Sequence, residues 1–307
     1  MPDLMITNRM HQKRHIAFGL WLQRIPLLVL LVLQFSVALP LPAVAEEPQP
    51  GPEKPEYNMG VFPFLSPTAT ESVFAPIAAE LAKALDRPVH LHSSSTFEIF
   101  TERLRRQQYD IVHIHPFDYV KIAVKAGYLP LASRIEDLSA QIVVLHDSPL
   151  RSAKDLTGKT IGMAPKTSSL SYLTRIALKQ AGFHEGTTVY LKYFSSHLSC
   201  LQQLHIGNIS ACATSDGAMR LFEAQANVKL RVLMQSPSIP HTLFVVHSRV
   251  PKADRDRIAR TILSTSLSGV PTEMKELFVE KDGKYFRPVT DADYDIVRKY
   301  IDLLGKD

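Results

Sequence analysis

The residues of this chain whose types and spacing could do chemistry are hydroxyls and histidines set just beyond apolar runs. Thr167, Ser168 and Ser169 follow an apolar segment that ends near Met163 and precede a stretch of helical period. A helix start carries unsatisfied backbone N–H groups and the positive end of the helix dipole. Hydroxyls placed there either cap the helix or join the N–H groups in receiving an anion. Ser195-Ser196-His197 repeats the arrangement further along, and Ser94-Ser95-Thr96 precedes a third helical stretch. Lys166 is expected to face solvent.

His113 and His115 stand two apart, which on a strand places both rings on one face. A tetrahedral metal site needs three or four converging ligands, and His197 is the one further candidate. The pair therefore reads as histidines that bond a ligand or pack, with a histidine-dependent metal site as the alternative and no metal assigned. No G-x-S-x-G elbow, H-E-x-x-H pair, phosphate-binding glycine loop or dinucleotide glycine pattern occurs. Donors and shape without an activated nucleophile suit binding, so neither enzymatic activity nor a cofactor is expected.

The elements that must hold these residues follow a leader. Arg9, Lys13, Arg14 and Arg24 precede an apolar run over 27–39, and Ala43-Val44-Ala45 supplies small residues at the spacing of a signal-peptidase site. This is the layout of a secretory signal peptide cleaved after Ala45, with a periplasmic product beginning at Glu46. A retained anchor would need about 20 apolar residues, and this run is interrupted by Pro26, Gln34, Pro40 and Pro42. The leader carries four Lys/Arg and one Asp. Its removal from 35 basic and 30 acidic residues leaves 31 against 29, too even a balance for a nucleic-acid partner. Cys200 and Cys212 either pair or stay as buried thiols.

Residues 46–56, rich in Pro and Glu, read as a flexible lead-in. Beyond them, short apolar runs alternate with helical-period segments, the order of an α/β protein with largely parallel sheets flanked by helices. Strands are expected at 58–62, 89–91, 110–115 and 141–146 and helices at 71–85 (capped by Thr70), 96–106 and 117–126. Together they make a first lobe over 57–147. A break at Asp147-Ser148-Pro149 opens a second lobe over 148–237. There strands at 160–163, 189–193, 209–213 and 230–234 alternate with helices at 169–181, 196–205 and 216–226. After Ser236–Pro240 the chain returns to the first lobe over 238–307, so two crossing strands form a hinge.

Several motifs resemble one family. They are Gly60-Val61-Phe62-Pro63-Phe64 with Phe74-Ala75-Pro76 behind it, and Tyr109-Asp110-Ile111-Val112 running into a Pro-aromatic turn. Asp155-Leu156-Thr157-Gly158-Lys159 follows, then the hydroxyl cluster after Pro165, then Ser196-His197. In order and spacing they are similar to the periplasmic binding proteins of phosphate, phosphite and phosphonate transporters. That resemblance implies a two-lobed, type II periplasmic binding protein, expected as a monomer. It would close on a small oxyanion and deliver it to an ABC permease in the inner membrane or, in the alternative, present its closed form to a sensor kinase. It places Phe64, Phe97 and His115 on one wall of the cleft, Thr167, Ser168, Ser169, Ser196 and His197 on the other, and Asp216 near them. Ser95 and Thr96 join as a further helix start. Where aminophosphonate binders of the family carry tyrosines and carboxylates, this sequence has Phe97, Ser139 and His241. A buried ammonium lacking such partners is disfavoured, so the resemblance implies a compact or apolar-substituted anion.

The intact mass of the exported protein is expected to be that of a chain beginning at Glu46. A mass that retains residues 1–45 would replace the cleaved leader by an anchor.

Overall fold

The alternation read from the sequence folds into helices laid on two sheets. The computed structural model describes residues 55–305, so the leader, its cleavage site and most of the lead-in lie outside the described residues. In the first lobe β1 (Tyr57–Val61), α1 (Pro67–Leu85), β2 (Val89–His92), α2 (Phe97–Arg105), β3 (Ile111–Ile114), the short α3 (Pro116–Asp118) and β4 (Tyr128–Arg134) follow in order. A crossing segment holds β5 (Asp137–Leu138). The second lobe is β6 (Gln141–Leu145), β7 (Thr160–Met163), α4 (Ser169–Gln180), β8 (Tyr190–Tyr193), α5 (His197–His205), β9 (Ala211–Thr214), α6 (Asp216–Ala226) and β10 (Leu230–Gln235). The return carries β11 (Ile239–Pro240), β12 (Leu243–His247), α7 (Lys252–Ser264), α8 (Thr272–Lys275), β13 (Phe286–Pro288) and α9 (Asp295–Leu304).

The first lobe's six-stranded sheet has the order β13-β4-β12-β3-β1-β2 and the second lobe's five-stranded sheet β10-β6-β9-β7-β8. Both sheets are mixed. β1 lies parallel to β2 and β3, and β7 to β8 and β9, through helical crossovers. The strands next to the crossings, β4, β12, β6 and β10, pair antiparallel. The two crossing segments meet as a two-stranded ribbon, Leu138 opposite Ile239 and Asp137 opposite Pro240. The N–H of Ala140 donates to Ser236 Oγ at 2.8 Å beside it. This ribbon is the hinge.

Three expectations are corrected. The strand at 141–146 belongs to the second sheet, so the first crossing falls at residues 135–140 and not at Asp147-Ser148-Pro149, which only turns the chain after β6. Helix α1 begins at Pro67 under a Ser66 cap, whose Oγ accepts the Ala69 N–H at 3.3 Å, and Thr70 is a buried residue inside it. The helix expected at 117–126 is one α-turn that widens at Tyr119–Ala123. β4 and β13 were not anticipated.

An apolar cluster runs across the lobes, with Leu170, Tyr172, Leu173 and Ile176 of α4 against Phe117, Tyr294 and Val297. Within the second lobe, Cys200 of α5 and Cys212 of β9 are joined in a disulfide, which settles the choice between a pair and free thiols. Gly162 of β7 lies beneath it: a Cβ there would meet Cys200 Sγ at 2.8 Å and Phe194 Cε2 at 3.0 Å. A sulfur held in a disulfide has little freedom to retreat. Gly162→Ala is therefore expected to lower stability by about 1–3 kcal/mol through overpacking, read as a lower urea midpoint; an unchanged midpoint would show that α5 yields.

Candidate functional site

Between the lobes lies a cavity of about 600 Å³. In the second lobe β7, β8 and β9 each lead at its rim to a helix whose first turn faces it. In the second lobe Ser168 caps α4, its Oγ accepting the Ser171 N–H at 3.2 Å and donating to Ser171 Oγ at 3.1 Å. Ser196 caps α5 in the same manner, accepting from the Ser199 N–H at 3.1 Å, while Ser199 Oγ accepts the Ser196 N–H at 3.0 Å. Ser215 caps α6, accepting from Ala218 N–H at 3.2 Å. Ser168, Ser169, Ser196, His197, Ser215 and Asp216 all line the cavity. The capping hydroxyls are engaged within their own helix starts, so the donors they leave for an anion are the earliest backbone N–H groups, reinforced by the helix dipoles.

The first lobe supplies an aromatic wall. Phe62 and Phe64 stack at 4.6 Å between ring centroids, and Phe62 lies 6.2 Å from Phe97 and 5.5 Å edge-on from His115. His115 caps α3, its Nδ1 accepting the Asp118 N–H at 3.3 Å. With Nδ1 unprotonated, Ser169 Oγ donates to it across the cleft at 3.0 Å. The ring proton then sits on Nε2, 2.9 Å from Asp118 Oδ2 though outside hydrogen-bond geometry. The expected pair of walls is thus joined directly through Ser169 and His115.

Other expected residues stand elsewhere. Ser95 and Thr96 are exposed and do not line the cavity, and Thr96 Oγ1 caps its own helix by accepting the Ile99 N–H at 3.3 Å. Thr167 precedes an extended cap residue, so its side chain points the other way, into a separate pocket of about 450 Å³ beside Lys121 and Tyr172. His113 is packed under the wall, 4.8 Å from the rings of both Phe74 and Phe244, and does not line the cavity. Among the described residues no three His, Cys, Asp or Glu side chains gather as a metal site.

The sequence reading placed Asp216 at the cleft, and the cavity also carries Arg134, Glu136 and Arg220, which it missed. Arg134, at the end of β4, is buried, pairs with Glu136, donates to Leu277 O and lies over the Phe278 ring at 4.7 Å. Asp216 pairs with Arg220 and accepts from Gln141 Nε2 at 3.3 Å. These partners are far apart in sequence or sit on surface-like positions, so no local pattern announced them. Buried polar atoms without a hydrogen-bond partner among the described residues cluster here: His197 Nδ1, Gln141 Oε1, Glu136 Oε2 and Arg134 Nε. Such atoms carry a desolvation cost.

Comparison with known proteins agrees with this fold. The family described as the periplasmic substrate-binding protein of a phosphonate ABC transporter matches residues 59–294. Among solved structures, PhnD1 of Prochlorococcus marinus in complex with methylphosphonate is similar in fold, with a TM-score of 0.67 and 17% identity over 82% of this chain and 99% of that one. A binding protein component of an ABC phosphonate transporter from Pseudomonas aeruginosa is similar at a TM-score of 0.66 and 15% identity, over 81% and 86%. A Xanthomonas citri protein bound to ATP follows at 0.59 and 18%, over 80% and 99%.

Burial pushes His197 down to about 4, and burial, with the Arg134 cation adding to it, holds His113 and His241 well below the ordinary histidine value of 6.5. Between those values the unfolded chain binds protons that the folded one refuses. Stability is therefore expected to fall as pH drops from 6.5 towards about 4. Urea midpoints across that interval check this, and the decline should be shallower in His197→Gln; an equal slope would remove His197 from the effect.

Proposed function

This chain belongs to the periplasmic substrate-binding proteins of phosphonate ABC transporters, and from that premise we propose that its interlobe cleft captures a small oxyanion of the phosphate, phosphite or phosphonate type. The family consists of solute-binding transport proteins; the partner that receives the ligand is an ABC permease of the inner membrane. The observation that carries the reading is the convergence of three capped helix starts on one cavity. Oriented N–H groups at helix N-termini stabilise an oxyanion without adding a counter-charge. The methylphosphonate held by the similar Prochlorococcus protein supports the same ligand class.

Ser168, Ser169, Ser196 and His197 on the second lobe, with Phe64, Phe97 and His115 facing them, form the proposed site. Asp216 sits at its edge, tied to Arg220. Arg134 and Glu136 offset each other, which leaves the neutral helix starts to hold the anion. Ser139 and His241 line the cavity where a bound ammonium would need carboxylates, and Ser139 Oγ already accepts from Gln235 Nε2 at 3.0 Å. The cleft is accordingly suited to anions with no amino group.

Truncation of Ser169 to Ala removes the bond to His115 and a hydroxyl at the head of α4, and is expected to weaken methylphosphonate binding by about 1–3 kcal/mol. Ser168→Ala should act in the same direction through loss of the cap. Calorimetry is the measurement. Unchanged affinity in both variants would remove the site, and tighter binding of 2-aminoethylphosphonate than of phosphate and methylphosphonate would remove the selectivity.

A further inference from the structure

The cavity is larger than the anion proposed for it. A phosphate or methylphosphonate has few heavy atoms and takes on the order of 150 Å³, at water's share of about 30 Å³ each. The cavity holds about 600 Å³, within the range of about 300–1,000 Å³ that accommodates drug-sized ligands. The excess is not produced by lobes standing apart, since they touch on both flanks. On one, Ser169 Oγ meets His115 Nδ1 at 3.0 Å and Phe117 stacks on Tyr172 at 4.6 Å. On the other, Arg220 Nη2 donates to Glu276 O at 3.2 Å, and a Cβ on Gly217 would lie 3.0 Å from Leu277 O.

Part of the cavity's lining is apolar and comes from both lobes. Leu198 and Leu221 come from α5 and α6, and Leu65, Met274 and Val279 from the facing lobe. Leu65, Leu198 and Met274 pack against the first lobe's core yet remain only half-buried. Hydrocarbon left wet in an interlobe cleft is stabilised when another apolar group covers it. The annex begins next to the head site, because Leu198 follows His197 at the start of α5. Its charged neighbours are occupied: Asp216 by Arg220, Glu136 by Arg134, and Asp137 by Arg287 at 2.8 Å.

Resting on the proposed function, we infer that the ligand is an organophosphonate with an apolar substituent of several carbons, its anionic head at the starts of α4 and α5 and its substituent against Leu65, Leu198 and Met274. The bare anion fills only part of the cleft. Because Glu136 Oε2 lacks a partner, an ammonium on the substituent is the competing chemistry.

Calorimetry on the protein with phosphate, methyl-, propyl- and hexylphosphonate and 2-aminoethylphosphonate tests this. Affinity is expected to rise by up to about fourfold for each methylene added. Leu198→Gln and, independently, Met274→Gln should each reduce the hexyl-to-methyl affinity ratio by about tenfold. If methylphosphonate binds and the longer chains bind no tighter, the apolar substituent is overturned while the oxyanion function stands. Tighter binding of 2-aminoethylphosphonate than of propylphosphonate overturns it in favour of an ammonium. If neither these anions nor phosphite binds, the proposed function fails and this inference with it.

Discussion

The feature on which the rest of the structure depends is the set of N–H groups that every helix leaves unmatched at its start. In both lobes parallel strands deliver the chain to the cleft and helices carry it away, so those groups gather at one place. Serines meet some of them locally, at Ser66, Ser168, Ser196 and Ser215. The others face a cavity in which full charges are already matched to one another. In the proposed site, selectivity would rest on fixed dipoles and on the width of the space rather than on a mobile cation.

That arrangement requires the helices to stay where the sheets put them. α5 is held to β9 by the disulfide and lies close enough to β7 that Gly162 has no room for a side chain. α4 is held by its apolar face against α3 and α9 across the lobes. The two crossings themselves are tied together by the short ribbon of β5 and β11 and the neighbouring Ala140–Ser236 contact.

Much of this was legible in the sequence because it is local. A hydroxyl between an apolar run and a helical stretch marks a cap, and the caps at Ser168 and Ser196 stand where that pattern placed them. What failed was non-local. An apolar run such as Ile142-Val143-Val144 says strand but not which sheet, and the strong turn signal at Ser148-Pro149 outweighed the weak one at the true crossing. β4 was hidden by Pro130, which lacks an N–H. The sheet accommodates it where the register against β12 shifts between Phe244 and Val245. Arg134 and Glu136 meet Leu277 and His241 only because the return segment comes back beside the hinge. The extended backbone that turns Thr167 away from Ser168 is equally invisible in composition.

The path of the chain also sets an order of assembly. The second lobe's sheet is complete within one continuous stretch, Gln141 to Gln235, whereas β12 lies between β3 and β4 and comes from the return segment. A chain emerging from its N-terminus can finish the second lobe, disulfide included, while the first still lacks a central strand. Until β12 arrives, the backbone edges of β3 and β4 are unpaired and open to wrong partners. The same insertion that places two lobes around a ligand thus leaves the aromatic wall as the last part of the molecule to be secured.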